Sequence, residues 1–432
     1  MSGFVDDPLN WLVRASANGD VAVIDPDGPI TSRSAARRTV AVFGQRAVRQ
    51  VLSDLDTFGM PVSVSERYDL PPVLANLNSA LFSMTGPRHR SRQRLLADCL
   101  GPAFAAEHNA AIDRGVADFL RGWRIGDQVP LLSEMRRFAR LVAQQVVLGT
   151  TAEDPIGARI QRYFDLRRRY GSRLGVRTAE TLDELVTEGT RVDHLLRAQV
   201  AALREGGDNR YSALGHLCRQ GGDLTVDELV AHANILFMSS SEPIATAMTW
   251  ILLGLTQHPR LRAAIRDAPD ETLVAGVVNE FLRLVPPSAL MVRLTRRPAE
   301  VAGVMLEPKT EVLISPFAEH RREDVFADPL SLSPQRWIDA RPGPFQFLPF
   351  GNGARSCLGK RIAQATLQRG TAKLLAGYDP VLPVPRRLDW SVNVTLMPAG
   401  DPMVLLAEPG SPVGGILSGP AAELLNSPPS SS

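Results

Sequence analysis

A single cysteine in a glycine-rich turn constrains this chain more than any other feature. Residues 350–359 read FGNGARSCLG, and a helical pattern follows over residues 360–375. Gly351 and Gly353 allow a tight turn and the close approach of a flat ligand, because glycine has no Cβ. The amides and positive dipole at the start of the next helix favour the thiolate form of Cys357. The segment predicts a metal-ligating thiolate, although a lone cysteine in a turn is more often simply buried.

The bulk composition limits the class of protein. The chain has 432 residues, 44% hydrophobic and 22% charged, as is typical of soluble globular proteins. A net charge of +2 is too small to indicate nucleic-acid binding. The cysteines Cys99, Cys218 and Cys357 form no disulfide framework and suit a reducing cytosol, so we expect a cytoplasmic location. Residues 1–20 lack the apolar run of an export signal or membrane anchor.

Hydrophobic periodicity predicts a chain that is helical first and strand-rich later. Apolar residues recur every three or four positions over residues 106–202. Thr225 and Glu228 form a capping box for a long helix that ends before Pro259. Short β-rich runs separated by prolines begin after Arg283. The sequence therefore predicts a mainly α fold with a smaller β-rich lobe.

The cysteine segment and two other motifs resemble the cytochrome P450 family. Residues 350–359 match the haem-binding signature of that family at each of its fixed positions. Glu280 and Arg283 reproduce its Glu-x-x-Arg pair, which alone is more often surface charge, and Arg336 falls where the family has a second arginine. The resemblance implies the cytochrome P450 fold and a buried network of Glu280, Arg283 and Arg336, whose loss prevents stable haem incorporation.

The same resemblance implies a cofactor and its contacts. It predicts non-covalently bound haem b with Cys357 as the iron ligand, since a thiolate pushes electron density onto iron and favours O–O cleavage. The haem propionates require cationic or hydrogen-bonding partners, and His89 and Arg293 stand at the spacing of the family. The expected haem contacts are His89, Arg293, Phe350, Gly351, Arg355, Cys357 and Gly359.

Gln93 is a departure from the family at this expected site. The family usually has arginine four residues after the histidine that corresponds to His89. Arg92 and Arg94 flank Gln93 and are the candidates to substitute for it, but helical geometry points them in other directions.

The centre of the long helix departs from the family where oxygen is activated. Residues 239–244 read SSSEPI, where related enzymes have Ala, Gly, any residue, an acid, Thr and Thr. Glu242 retains the acid, whereas Pro243 replaces a threonine whose hydroxyl takes part in proton delivery. We expect Glu242, Pro243 and Ser241 to be the catalytic positions, with serine hydroxyls, ordered water or a substrate hydroxyl carrying the proton. Alternatively, the segment merely kinks a packed helix.

The resemblance implies a monooxygenase that inserts one oxygen atom from O2 into a hydrophobic small molecule, such as a terpenoid or polyketide secondary metabolite. Two alternatives remain open: an atypical peroxide-driven, dehydrating or rearranging enzyme, and a catalytically silent haem-binding partner protein.

By resemblance, Phe237, Leu290 and Met291 line an apolar substrate pocket. An arginine run is either an anion-binding surface or, more commonly, a solvated helix face; its members are Arg162, Arg167, Arg168, Arg169, Arg173 and Arg177.

The resemblance also implies partners and domain organisation. Electrons are expected from ferredoxin and ferredoxin reductase, because no redox module is fused, and Lys360 and Arg361 are candidates for docking an acidic ferredoxin.

We expect a monomer with an N-terminal segment over residues 1–39 and a single haem domain over 40–406. Length alone suggests two or three domains. Residues 409–432 are rich in Gly, Pro and Ser and are predicted to be a disordered tail.

Overall fold

The computed structural model divides into two compact units. It describes residues 2–25, 38–61, 70–171, 179–206, 211–267, 270–339, 341–392, 395–420, 422 and 425. The first unit contains Met1–Val64, Thr246–Cys357 and Leu375–Ser432, and the second contains Ser65–Ala245 and Leu358–Leu374. Within the described residues, no helix is both long and apolar enough to span a membrane.

Helices make up most of the described chain, and short strands are more frequent towards its end. The α-helices are α1 (Ser2–Asp6), α2 (Pro8–Ser16), α3 (Gln45–Ser53), α4 (Pro72–Asn78), α5 (Gly86–Cys99), α6 (Ala105–Leu120), α7 (Leu131–Ala143), α8 (Ile156–Gly171), α9 (Ala179–Arg204), α10 (Ala213–Gln220), α11 (Val226–Thr256), α12 (Pro259–Asp267), α13 (Glu271–Leu284), α14 (Pro316–Glu319), α15 (Arg336–Asp339) and α16 (Lys360–Gly377). The strands are β1 (Val21–Asp25), β2 (Arg38–Val42), β3 (Phe58–Gly59), β4 (Gln128–Pro130), β5 (Met291–Thr295), β6 (Ala299–Val301), β7 (Val304–Leu306), β8 (Thr310–Ile314), β9 (Asp379–Val381), β10 (Arg386–Arg387), β11 (Trp390–Val392), β12 (Leu396–Pro398), β13 (Met403–Ala407) and β14 (Leu417–Ser418). The predicted mainly α fold with a smaller β-rich part is confirmed.

A five-stranded sheet forms the centre of the first unit, in the order β1-β2-β8-β5-β3. β2 and β8 pair in parallel, and the other pairs are antiparallel. Side chains alternate between its faces, so Val40 and Val42 pack with α3 on one face, whereas Ala41 and Phe43 pack with α2 on the other. This alternation decides which residues of β5 face α3.

The long helix α11 begins at the predicted capping box. The amide of Glu228 donates to Thr225 Oγ1 over 3.1 Å, and the amide of Thr225 donates to Glu228 Oε2 over 3.3 Å. Two of the amides that a helix start leaves unpaired are satisfied in this way, and the capping-box prediction is confirmed. The helix continues through Pro243 to Thr256.

Part of the segment predicted to be a disordered tail is packed in the first unit. β14 pairs in parallel with β10, and the side chain of Leu417 is buried. The chain can approach β10 closely because Gly415 has no Cβ: its amide donates to the carbonyl of Leu382 over 2.7 Å. A Cβ on Gly415 would lie 2.1 Å from the carbonyl carbon of Val384. Residues 421, 423–424 and 426–432 lie outside the described residues.

Candidate functional site

The loop that ends at Cys357 is held by backbone hydrogen bonds. The Gly351 amide donates to the carbonyl of Leu348 over 3.0 Å, and the Cys357 amide donates to the carbonyl of Phe350 over 2.9 Å. Cys357 is exposed, whereas Cys99 is buried and burial raises the pKa of the Cys99 thiol to about 12. The interpretation of Cys357 as a simply buried cysteine is therefore wrong.

The two glycines of this loop have different roles. Both adopt positive φ, +62° at Gly351 and +72° at Gly353, which favours glycine. A Cβ on Gly353 would lie 2.5 Å from the carbonyl oxygen of Leu52 in α3, so this glycine serves protein packing. A Cβ on Gly351 would have its nearest neighbour, Met291 Sδ, at 3.7 Å. The expected close approach of a ligand therefore suits Gly351 and is a wrong explanation for Gly353.

Arg293 and Arg355 place positive charge in the same unit as Cys357. Arg293 is two residues after Met291 on β5, so both side chains start from the face that packs with α3. Arg293 is 5% exposed, and its Nε has no hydrogen-bond partner among the described residues. Burial, followed by the charge of Arg355, lowers the pKa of Arg293 to about 10. Arg355 is half-buried, and burial lowers its pKa as well.

These observations fit a flat cofactor that carries carboxylates. A buried guanidinium whose charge is disfavoured by a second guanidinium is costly unless an anion binds beside it. Carboxylates are the anions that a guanidinium fork binds best. Arg293 and Arg355 would hold the propionates of a haem, Cys357 would hold its iron, and the open side of Gly351 would accommodate its plane.

A buried network surrounds the carboxylate of Glu280, which is 0% exposed. The guanidinium of Arg283 donates to both of its oxygens, over 2.8 and 3.0 Å, and Arg336 Nε donates to Oε1 over 3.2 Å. The Ser333 amide and Trp337 Nε1 add bonds of 2.9 and 2.8 Å. The structure thus brings together the three residues of the expected network. Sequence reasoning missed the contributions of Ser333 and Trp337.

His89 and Gln93 lie on α5 in the second unit. His89 is 3% exposed and Gln93 is half-buried. Arg92 forms ion pairs with Glu228 over 3.0 Å and with Asp223 over 2.8 Å. Because Arg92 is engaged in these pairs and Arg94 is exposed, neither flanking arginine takes the place of an arginine at position 93 in this structure.

The central turn of α11 presents one open face. The hydroxyl of Ser241 donates to the carbonyl of Phe237 over 2.7 Å, and Ser241 is 3% exposed. Ser239 is exposed, and its hydroxyl donates to the carbonyl of Leu236 over 3.2 Å. The exposed or half-buried side chains of this stretch share one helical face: Ile235, Leu236, Ser239, Ser240 and Pro243. Ser241, the hydroxyl chosen from the sequence, lies off this face, whereas Ser239 lies on it.

Glu242 is adjacent to this face but is held by arginines of the second unit. Arg136 on α7 binds both of its oxygens, and Arg168 Nη1 on α8 lies 3.5 Å from Oε1. Arg168 belongs to the arginine run, in which Arg162 pairs with Glu184. Arg168 therefore contacts a buried carboxylate and is not simply part of a solvated helix face. Arg173 and Arg177 lie outside the described residues.

The three residues expected to line a substrate pocket differ in burial. Phe237 is 1% exposed and lies off the open face of α11. Leu290 and Met291 are half-buried, and they pack towards opposite faces of the sheet, with α2 and α3 respectively. The phase of the helix turns Phe237 into the core, and its place in a substrate pocket stays a prediction. Period-two alternation of strand residues would have separated Leu290 from Met291.

Comparison with known proteins supports the same family. A model of the cytochrome P450 family matches residues 191–397. Cyclooctatin synthase of Streptomyces melanosporofaciens is 25% identical over 422 residues, covering 88% of this chain and 86% of that protein. Pentalenene oxygenase of Streptomyces avermitilis is 24% identical, with 86% of each chain covered. A six-coordinated cytochrome P450 of Thermus thermophilus shares the fold, with a TM-score of 0.71 and 20% identity over 94% of this chain and 99% of that one. The signature loop, the Glu280 network, the family model and the curated relatives together support the identification of this chain as a cytochrome P450.

Proposed function

We propose that this chain binds haem b non-covalently through the Cys357 thiolate and oxygenates a hydrophobic small molecule of the terpenoid class. The observation that carries the proposal is the exposed Cys357 in the same unit as two arginines, the buried Arg293 and the half-buried Arg355. When bound, thiolate-ligated haem supplies an iron centre that activates O2. Pentalenene oxygenase and cyclooctatin synthase, by their names, favour a terpenoid substrate over a polyketide.

The reaction requires two electrons and two protons for each O2, since one oxygen atom enters the substrate and the other leaves as water. Ferredoxin, reduced by ferredoxin reductase, is the proposed electron donor. Lys360 and Arg361 are exposed at the start of α16 and supply positive charge for an acidic partner. If these charges steer docking, turnover falls as ionic strength rises, because exposed charges are screened over roughly 10 Å at 0.1 M salt.

Proton delivery uses hydroxyls of α11 other than the absent threonine. Pro243 has no amide hydrogen and cannot donate to the carbonyl of Ser239, so that carbonyl is available to a water or to a substrate hydroxyl. Ser239 offers an exposed hydroxyl one turn away, and Glu242 is fixed as an ion pair beside it. Ser239 is the proposed relay residue, with Ser241 as a buried comparison. Ser239→Ala should lower product formed per NADPH consumed by more than Ser241→Ala does.

Pro243 also favours a second candidate, a peroxide-driven enzyme on the same haem. The test is turnover of pentalenene and related cyclic terpenes under two conditions: ferredoxin, ferredoxin reductase and NADPH with O2, or hydrogen peroxide alone. Monooxygenation predicts product chiefly in the first condition, with one labelled oxygen atom from 18O2. Product chiefly with peroxide would favour the second candidate. Haem binding without product in either condition would oppose both and leave a silent haem-binding partner protein.

A further inference from the structure

The imidazole of His320 joins two motifs of the first unit that are distant in sequence. His320 follows α14 and is 0% exposed. Its Nδ1 lies 3.1 Å from the carbonyl oxygen of Arg283, the arginine of the Glu280 network. Its Nε2 lies 2.7 Å from the amide nitrogen of Leu348, which precedes the signature loop. One side chain therefore contacts both the network and the segment that leads to Cys357.

The partners of His320 fix its chemical form. A backbone carbonyl only accepts a hydrogen bond and a backbone amide only donates one, so the ring must donate from Nδ1 and accept at Nε2. This arrangement requires the neutral Nδ1-protonated tautomer. Burial lowers the pKa of His320 to about 3, which agrees with a neutral ring across the physiological range.

Arg283 and His320 are linked reciprocally. Nη1 of Arg283 donates to the backbone carbonyl of His320 over 3.0 Å, while the ring of His320 donates to the backbone carbonyl of Arg283. Nε and Nη2 of Arg283 donate to the Glu280 carboxylate, and the carbonyls of Pro329 and Ser331 accept two further bonds from the guanidinium. The position of the His320 ring is therefore set by the buried network, and displacement of Arg283 would move it.

The hydrogen bond at the Leu348 amide couples the position of the His320 ring to the loop that ends at Cys357. The carbonyl of the same residue accepts from the Gly351 amide over 3.0 Å, and Cys357 bonds back to Phe350 over 2.9 Å. The ring of Phe347 adds a second contact, with its centroid 5.1 Å from that of His320. The start of the loop is thus fixed by one side-chain acceptor and one ring contact.

We propose that His320 is a positioning residue that sets the Cys357 loop for thiolate ligation through its Nε2 acceptor. The inference rests on the proposed haem binding and extends it to a residue outside the motifs. It separates two parts of His320: the Nε2 acceptor positions the loop, whereas the Nδ1 donor anchors the ring to Arg283.

Two substitutions separate these parts. The terminal amide of glutamine reaches the Nε2 position and can accept from Leu348, so His320→Gln preserves the proposed function of the ring. The shorter amide of asparagine reaches only the Nδ1 position, so His320→Asn keeps the bond to Arg283 and loses the acceptor. The readouts on the haem-bound proteins are the fraction with a thiolate-type Soret band in the reduced, carbon-monoxide-bound state, the melting temperature, and hydrogen exchange at the Leu348 amide.

His320→Asn should lower the thiolate fraction and speed exchange of the Leu348 amide by about tenfold, the effect of losing one hydrogen bond. His320→Gln should keep the thiolate fraction close to that of the wild type. Equal losses in both variants, or full retention in both, would overturn the proposal.

If neither variant folds, hydrogen exchange of the Leu348 amide in the wild type tests the proposal. A Leu348 amide that exchanges as fast as exposed loop amides would then contradict the proposal, whereas strong protection would support it. Failure of the proposed function is distinguishable, because a wild type with no thiolate-type band leaves the Leu348 protection intact.

Discussion

Arg136 and Glu242 form a two-point ion pair: Nη2 of Arg136 lies 2.6 Å from Oε1 of Glu242, and Nε lies 3.1 Å from Oε2. Glu242 is 2% exposed, whereas the side chain of Arg136 is 22% exposed. The acid beside Pro243 is therefore anchored to α7, and its orientation depends on a residue outside the family motifs.

Removal of Arg136 alone should lower the free energy of unfolding by more than removal of both charges of the pair. Arg136→Leu leaves a buried carboxylate with Arg168 at 3.5 Å, and we expect stability to fall by about 3 kcal/mol. Adding Glu242→Gln removes the stranded charge and should recover part of this loss. Arg168→Leu is the matched control and should cost about 1 kcal/mol or less. Urea unfolding measures all of these; equal losses in the two single variants would contradict the assignment.

The buried carboxyl of Glu319 should make stability depend on pH. Burial raises its pKa from 4.5 to about 7, although the amide of Gly44 donates to Oε1 over 3.0 Å. Because the folded-state pKa is the higher one, its stabilising contribution is fully present below pH 4.5 and is lost as the pH rises through about 7. The loss by pH 8.5 is about 3 kcal/mol.

Glu319→Gln keeps the side chain neutral and should remove this part of the pH dependence. The measurement is the free energy of unfolding of both proteins between pH 5 and pH 8.5. Parallel curves for the two proteins would contradict the raised pKa.

The two loop glycines should differ in their tolerance of alanine. Both substitutions incur the cost of positive φ, about 1 kcal/mol. Gly353→Ala also brings a Cβ to 2.5 Å from the carbonyl oxygen of Leu52, so either α3 or the loop must move. We expect Gly353→Ala to lose more thermal stability than Gly351→Ala, whereas Gly351→Ala should lose more haem, because its Cβ would occupy the open side proposed for the haem plane. Melting temperature and haem content per polypeptide check these effects. A lower melting temperature for Gly351→Ala than for Gly353→Ala would contradict the packing role of Gly353.

Arg293 should govern haem retention through its charge and its fork geometry. Arg293→Leu removes the proposed charge-assisted contact to a propionate and should speed haem loss by about 10- to 100-fold. Arg293→Lys keeps the charge without the fork and should give an intermediate rate. Transfer of haem to an excess of a scavenger globin measures the rates. Unchanged haem loss in Arg293→Leu would show that the buried guanidinium serves another partner.

The features that could be predicted from the sequence lie in short motifs. Glu280 and Arg283 are three positions apart on one helix, so helix geometry allows their pairing, whereas their burial and the contact with Arg336 were expected only from the resemblance to the family. The capping box at Thr225 is equally local. The i, i+3 pairing and the capping box need no knowledge of tertiary packing, which is why a single sequence suffices to predict them.

The features that the sequence did not reveal depend on contacts between distant segments. No local pattern relates Arg136 to Glu242, which are 106 positions apart, or His320 to Leu348. The choice between Ser239 and Ser241 depends on the phase of α11 against its neighbours, because all three serines share the same local chemistry. The separation of Leu290 from Met291, by contrast, follows from strand alternation and was open to prediction.

The central claim is that the Cys357 thiolate ligates haem iron. The most direct measurement is the absorption spectrum of the reduced, carbon-monoxide-bound protein, with Cys357→Ser as the control and Cys99→Ser as a matched buried cysteine. The account predicts the red-shifted Soret band of a thiolate-ligated haem in the wild type and in Cys99→Ser, and its loss in Cys357→Ser. A histidine-like band in the wild type, or a thiolate band that survives in Cys357→Ser, would contradict the account.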